Sequence, residues 1–503
     1  MKISKNENKL FGSEVFWLVL SFLIGVNLMA LEIVGIRILA PYFGYSIYVS
    51  GSLIGVVLSA MSIGYFIGGI LSTKDKIKIL QRVAFISTIS YIILIQSYHR
   101  ILGFFARYGE LYGSLLASLI LFAPLMLLLS TISPLIVSII SKKGKEGIAA
   151  SRIFAVSTIG SVTGVFLTTF VFIPTFGSRS VLNICFIMLL IITIILFSGR
   201  KITMLFLLST VFLIFTIPDK HEDSLFFKES AYNQIQVIQR DGTNFLIMNN
   251  PKYFQSMYNP TMVFTNQYFD VFNAAPLLSR RNVSRYDPIN ILILGMCAGT
   301  SIHQFRHFYP NSEIDAVDID PAVIDVGKQY FGLDNLTNVN MVAIDGRSFV
   351  KHADKIYDIV EIDVYEGGSY PPFYVMTKEF YQELYQITQE DGILTINIEL
   401  SNTNSDAAKL YLDTIVKTIY SSFSSVYGIK YKENVILFAS KKIITPNQLK
   451  ATLSKYAKED QFYELAPIIG YMVKNVQNMD EKEVPVLTDD LAPVERYKYN
   501  LFT

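Results

Sequence analysis

Long apolar runs fill the first two fifths of the chain and then stop. Seven such segments, at 13–40, 50–73, 81–99, 113–140, 148–173, 180–198 and 202–217, are separated by short polar breaks. A bilayer-crossing helix needs about 20 mostly apolar residues. Backbone groups in hydrocarbon must pair inside their own segment, so the pattern predicts an all-α transmembrane bundle of about seven helices over residues 1–218. The first segment is not a cleavable signal: it is too long, carries Glu32 and Arg37, and is followed by more of the same kind.

After Pro218 the period changes. YNQIQVI (232–238) and TNFLIM (243–248) read as a hairpin around the turn pair Asp241-Gly242. A third short strand and a helix around 266–278 complete a small β-rich subdomain, 219–285. Apolar strands then alternate with helical stretches: INILILG (289–295), SEIDAVDID (312–320), NVNMVAID (338–345), YDIVEID (357–363) and GILTINIE (392–399). That alternation predicts a doubly wound α/β sheet of Rossmann-like, methyltransferase type over 286–445. Residues 446–503 read as a helical appendage.

Composition sharpens this division. Of 503 residues 51% are hydrophobic and only 17% charged, and the deficit of charge falls almost wholly before residue 219. A net charge of +1, from 43 Lys+Arg against 42 Asp+Glu, leaves no broad basic surface and argues against a nucleic-acid partner. Two cysteines, Cys185 and Cys297, support neither a disulfide framework nor a zinc site, so no metal is expected.

Within the bundle, small residues recur four apart at Gly51, Gly55 and Ser59, at Gly64 and Gly68, and at Gly160 and Gly164. Such a face lets a neighbouring helix approach closely, either inside the bundle or across a homodimer seam. Glu32 and Arg37 are badly spaced for a direct pair on one helix, so each is expected to meet another helix or to line a small-molecule path. Lys2, Lys5 and Lys9, then Lys74, Lys76, Lys78 and Arg82, then Lys142, Lys143 and Lys145, then Arg200 and Lys201 mark alternate loops as cytoplasmic. A seventh crossing puts the C-terminal half outside; segment 202–217 is short enough to lie in the interface, which keeps that half in the cytoplasm. The cytoplasmic placement is the expectation.

Four features of the sheet converge on one ligand. Gly295 and Gly299, in ILILGMCAGTS, allow a tight turn and close backbone approach between strand and helix. Asp318 closes the next strand, about 20 residues on, where a carboxylate suits ribose hydroxyls. Asp345-Gly346 closes the third strand, placed to accept from an adenine amino group, and Asp363 closes the fourth. Each acid could instead be a helix N-cap or a solvated loop end. Together they occupy successive C-terminal strand ends, where open α/β sheets bind ligands. The glycine spacing is not the G-x-G-x-x-G that seats a pyrophosphate, which favours an S-adenosyl nucleoside over NAD.

At these residues the chain resembles the spermidine synthase (polyamine aminopropyltransferase) family, in particular its membrane-anchored branch, over about 229–440. SAYNQIQVI resembles the family's opening strand, with Asn233 where a nucleoside-contacting Gln is usual, and KYFQS (252–256) resembles the strand that supplies Gln255. NQYFDVF (266–272) resembles a Tyr-His-Glu helix: Tyr268 matches, Phe269 replaces a polar residue and Asp270 stands for Glu. AVDID carries Asp318, AIDGRSFV carries Asp345 and Gly346, and YDIVEIDVYEGG resembles the catalytic segment. PPFYVMTKEFYQEL (371–384) resembles the gate loop and the helix after it.

The resemblance implies a catalytic Asp363 as proton acceptor. It also implies amine contacts from Tyr268, Asp270 and Glu366, the last in place of a second Asp, and a nucleoside pocket from Asn233, Gln255, Gly295, Gly299, Asp318, Asp345 and Gly346. The implied co-substrate is decarboxylated S-adenosylmethionine, with no prosthetic group, and the partners are a small amine and the lipid bilayer. Ala298 stands where the family carries an Asp that holds the donor's amine, which keeps two other readings open. One is a methyltransferase using S-adenosylmethionine itself. The other is a non-catalytic membrane sensor or transporter subunit.

Overall fold

The computed structural model describes residues 13–197, 224–250, 253–279, 283–365, 371–400 and 405–494. The chain divides into two compact units, Met1–Asp223 with Phe227–Gln234, and Ser224–Phe226 with Ile235–Thr503. The division therefore runs through the first hairpin connection.

The first unit is helical: α1 Glu14–Phe43, α2 Ile47–Leu71, α3 Lys76–Phe105, α4 Ser114–Leu121, α5 Ala123–Ile140, α6 Glu146–Leu167 and α7 Ser178–Leu196. Among the described residues six helical stretches are long and apolar enough to cross a membrane. The seventh apolar segment, 202–217, lies outside the described residues.

Two of the small-residue faces are used inside this unit. A Cβ on Gly160 or Gly164 of α6 would come within 2.2 Å of the Phe22 carbonyl or 2.6 Å of the Val26 carbonyl on α1. One on Gly64 or Gly68 of α2 would meet the Leu127 or Thr131 carbonyl of α5 at 2.3 or 2.6 Å. Glycine here is what lets backbones touch. Gly51 and Gly55 face open space.

The polar groups of α1 are spoken for differently from the sequence expectation. Among the described residues Arg37 hydrogen-bonds neither Glu32 nor another helix. Its guanidinium donates to the Tyr45 hydroxyl at 3.0 Å and to the carbonyls of Ser230, Ala231 and Tyr232 at 2.7–3.3 Å. An intramembrane-type arginine is thus satisfied by backbone acceptors of the hairpin connection, which belongs to the same unit. Glu32 is buried. Asn27 donates to the Cys185 carbonyl at 2.8 Å and accepts from Tyr91, so Cys185 is packing material.

The second unit begins with a four-stranded sheet in the order β1 Ser224–Glu229, β2 Gln234–Arg240, β3 Thr243–Met248, β4 Ser256–Tyr258. The β2–β3 turn is Asp241-Gly242 with φ of 48° and 75°, both in the left-handed region that a two-residue hairpin requires. The helix expected around 266–278 is two short turns, Phe269–Phe272 and Ala275–Leu278.

An eight-stranded sheet follows. Its strands are β5 Asn290–Leu294, β6 Glu313–Asp318, β7 Val339–Ala343, β8 Tyr357–Ile362, β9 Thr388–Glu399, β10 Ser425–Tyr431, β11 Asn434–Ser440 and β12 Gln477–Asn478. The order is β12-β10-β11-β9-β8-β5-β6-β7, parallel from β9 to β7, with an antiparallel edge of β11, β10 and β12. Both faces are buried, so neighbouring residues serve opposite cores. Ile291, Ile293, Ile359 and Ile436 pack on one side, and Leu292, Leu294, Val360 and Leu437 on the other. Helices α8 Thr300–Phe308, α9 Pro321–Phe331, α10 Gly346–Lys351, α11 Lys378–Ile387 and α12 Asp406–Tyr420 connect the strands.

The last segment is only partly helical, unlike the sequence expectation. After α13 Pro446–Tyr456 and α14 Ala466–Asn475 it runs extended, adds β12 to the sheet edge, and passes the start of α11, where Lys378 N–H donates to the Leu487 carbonyl. Its leading half is helical because Leu449, Leu453, Tyr456, Ile469 and Met472 provide an apolar stripe for the sheet core.

Candidate active site

Chain order fixes where the sheet can bind a ligand. From β5 the chain proceeds outward through β6 and β7; β8 and β9 lie on the other side of β5. The crevice at this reversal, between the C-terminal ends of β5 and β8, is a topological switch point. Gly295 follows β5 and Asp363 follows β8.

The two ends touch. Asp363 N–H donates to the Leu294 carbonyl at 2.9 Å. Gly295 has φ +84°, and a Cβ there would lie 2.3 Å from the Asp363 carbonyl oxygen, so both conformation and space require glycine. Gly299 is the second such position: φ is +88° and a Cβ would strike Leu333 at 2.5 Å. Between them the loop folds over the tip of β6. Gly295 and Met296 N–H groups donate to the Val317 carbonyl at 2.9 and 3.0 Å, and Cys297 N–H donates to Asp318 Oδ2 at 3.0 Å. Asp318 Oδ1 accepts from Asp320 N–H at 3.0 Å. Burial pushes the Asp318 carboxyl up to about 7 against the pull of these amide bonds.

Asp363 sits between two side-chain donors. Tyr268 Oη donates to Oδ2 at 2.8 Å and Asn397 Nδ2 to Oδ1 at 2.9 Å. The amide of Asn397 is oriented in turn, because its Oδ1 accepts from Asn434 Nδ2 at 2.8 Å. Burial raises the Asp363 carboxyl to about 6, while the Asn397 and Tyr268 hydrogen bonds hold it down. Tyr268 stays protonated: burial and then the charge of Asp363 push its phenol far above the ordinary range. Two residues back on β8, Glu361 is buried, and burial pushes its carboxyl well up.

Asp345 takes the helix N-cap role that the sequence allowed for. Its Oδ1 caps α10 by accepting from Ser348 N–H at 2.8 Å, and its Oδ2 accepts from the Tyr374 hydroxyl at 3.1 Å. Gly346 is the first residue of that helix. Gln255 spends its amide oxygen on Met248 N–H at 2.7 Å. Its neighbour Ser256 accepts from Ala298 N–H at 3.0 Å, and Thr300 exchanges bonds with Met257 at 2.9 and 3.0 Å. These bonds seat β4 on the glycine loop.

Asp270, Phe269 and Asn233 each have a place in the packing of the chain. Both oxygens of Asp270 are engaged: Thr265 N–H, the Thr265 hydroxyl and Gln304 Nε2 donate to Oδ1, and Asn266 N–H to Oδ2, at 2.7–2.9 Å. With 1% exposure it organises the turn before Tyr268. Phe269 is buried in the sheet core, so its apolar character belongs to packing. Asn233 groups with the helical unit, its N–H bonded to Ser230 Oγ at 2.8 Å. Glu366 lies outside the described residues. Asn397, Asn434, Ser256 and Thr300 are site-building residues the sequence reading passed over.

Residues 275–448 match the spermine/spermidine synthase domain. This part of the chain is similar to the spermidine synthase family. A protein of Bifidobacterium longum (strain NCC 2705) named as a probable polyamine aminopropyl transferase is 25% identical over 283 residues, 53% of this chain and 60% of that protein. A polyamine aminopropyltransferase of Vibrio vulnificus (strain CMCP6) is 27% identical over 223 residues, 42% of this chain and 70% of its own length. The mouse eEF1A lysine and N-terminal methyltransferase is 27% identical over 179 residues, 32% of this chain and 25% of that protein. The chain thus spans less than two thirds of the first relative, and the similarity to spermidine synthases covers about half of this chain.

Proposed function

We propose that this protein is a membrane-bound polyamine aminopropyltransferase, moving an aminopropyl group from decarboxylated S-adenosylmethionine to an amine such as putrescine and releasing methylthioadenosine. The observation that carries the reading is the carboxylate of Asp363, held at the switch point between Tyr268 and Asn397.

The chemistry follows from the groups present. The donor sulfonium is already a good leaving group, so the protein must supply an unprotonated amine in line with the carbon beside it. An alkylammonium titrates near pH 10, so about one molecule in a thousand is free base at pH 7. Asp363 attracts the cation and accepts its proton. The nitrogen pair forms the new N–C bond, the C–S bond breaks with its electrons on sulfur, and a neutral thioether departs. A carboxylate raised to about 6 is a stronger base than an ordinary one and is still ionised at neutral pH. Tyr268 and Asn397 hold its two oxygens in place, and fixed orientation supplies much of the remaining rate. Asp318 would take the ribose hydroxyls and Asp345 the adenine amino group, with Gly295, Gly299 and Gly346 admitting the nucleoside to the backbone. Gln255 would offer its amide nitrogen; Glu366 and Asn233 remain assigned by resemblance alone.

The six apolar helices support insertion in a bilayer. Six crossings among the described residues put residues 13 and 197 on one side, and the basic loops at 74–82 and 142–145 favour the cytoplasm for that side.

A second reading, methyl transfer from S-adenosylmethionine, is favoured by the methyltransferase relative and by Ala298, which is fully buried among Val323, Val326 and Ile235 and offers the donor's amine no carboxylate. Mass spectrometry of products from purified protein, offered both sulfonium donors and a panel of amines, separates the two. Methylthioadenosine with an aminopropylated amine supports the proposal; S-adenosylhomocysteine with a methylated product overturns it.

A further inference from the structure

The extended C-terminal segment ends at one side chain that the reaction above does not use. Arg347, two residues after Asp345, is 7% exposed and spends all five of its N–H donors. Nε and Nη2 make a bidentate pair with Glu383 on α11 at 2.9 Å each. Nη1 and Nη2 make a second pair with Asp489 at 2.6 and 2.8 Å. The remaining Nη1 donor goes to the Tyr374 carbonyl at 2.9 Å. One cation between two carboxylates leaves an excess acid, which Lys351 offsets from 3.8 Å.

Asp489 does more than neutralise. Its Oδ1 also accepts from the Thr377 hydroxyl at 2.7 Å, at the N-cap of α11, and its N–H donates to Glu379 at 3.0 Å. Tyr374 is therefore gripped at both ends: its carbonyl by Arg347, its hydroxyl on Asp345 Oδ2 at 3.1 Å. A surface ion pair needs none of this. Nearly complete burial of the guanidinium, bidentate geometry on both partners and a shared backbone acceptor describe a built joint.

We propose that Asp489 is a positioning residue for the nucleoside end of the site, acting through Arg347 and Tyr374 on the Asp345 carboxylate. The C-terminal segment is then part of the binding apparatus, and its removal or displacement loosens the donor without touching the base. This rests on reading Asp345 as a nucleoside contact.

The probe is 5′-methylthioadenosine, titrated calorimetrically into the full chain in detergent micelles. Asp489→Asn keeps the shape but weakens the pair, and is expected to lower nucleoside affinity about tenfold, the equivalent of one charge-assisted hydrogen bond. The KM for the amine should stay within about twofold, since no hydrogen bond among the described residues links the joint to Asp363. Tyr374→Phe leaves the Arg347 bonds intact and removes the link to Asp345, so it should give the same loss, and the double variant should be no worse than either single one. Unchanged affinity in Tyr374→Phe, or equal loss of nucleoside and amine in Asp489→Asn, overturns the proposal. A wild-type protein that does not bind the probe instead overturns the nucleoside reading on which it stands.

Discussion

Tyr268 and Asp363 lie 95 positions apart and meet in a hydrogen bond of 2.8 Å. The tyrosine comes from the segment before the sheet and the acid from the tip of β8, so the contact exists only when both parts of the second unit are folded. It fixes one carboxylate oxygen; Asn397, from β9, fixes the other. A base held at both oxygens has a defined orientation, which is what an in-line displacement asks of it.

Removing the tyrosine hydroxyl should show in the pH profile. The Tyr268 bond holds the Asp363 pKa down, so Tyr268→Phe raises it above about 6 and moves the acidic limb of kcat/KM to higher pH. At pH 7 the rate should fall roughly tenfold. An unshifted limb would show that the bond is incidental.

Activity and stability should respond to pH in opposite directions. Asp363 near 6 and Asp318 near 7 must be ionised to work, so kcat/KM rises across that window. Both are raised above the ordinary 3.8, so the fold favours their neutral forms; their stabilising contribution is full below about 3.8 and is lost as pH rises through 6–7. Asp363→Asn does not titrate and can keep both bonds, its oxygen accepting from Asn397 and its nitrogen donating to Tyr268. The Tm of wild type relative to this variant should therefore drop between pH 5 and pH 8. A constant difference contradicts the assignment.

Gly295→Ala should unfold or deform the switch point. The methyl meets the Asp363 carbonyl at 2.3 Å in a backbone conformation that alanine avoids. Strain and overpacking together come to ~2–4 kcal/mol. Thermal melts and turnover should both suffer; a variant of normal Tm and rate would mean that the two strand ends are not locked together.

Asp270→Asn separates a turn-organising acid from an amine ligand. An amide cannot accept all four of the bonds that end on Asp270, and a buried unmatched donor costs about 1–3 kcal/mol. Tm should fall while the KM for the amine in the surviving folded protein is unchanged. A raised KM at normal Tm would restore the amine-binding role.

Local signals were the legible ones. Asp241-Gly242 announces a turn because only such residues tolerate two successive left-handed conformations, and the structure has them there. The strand tips could be read because parallel strands buried on both faces appear as continuous apolar runs, and an acid ends the runs of β6, β7 and β8. Asp345 shows the limit of that logic: a strand-end acid and a helix N-cap are the same residue in the same place. Asn397 was invisible because its orientation comes from Asn434 on the antiparallel neighbour β11, a pairing no local pattern encodes. Arg347 was hidden likewise, since its second carboxylate is 142 positions away in an extended segment without periodicity. Asp270 was assigned by its resemblance to the Glu of a Tyr-His-Glu helix, yet its oxygens accept from the loop at Thr265 and Asn266 and from Gln304.

The most direct test is to measure nucleoside affinity and single-turnover rate side by side in wild type and Asp363→Asn. The account predicts that the variant binds methylthioadenosine within about threefold of wild type, while aminopropyl transfer falls by at least about a hundredfold, the range expected on losing a general base. Parallel loss of binding and rate, or a variant that still turns over, would contradict it.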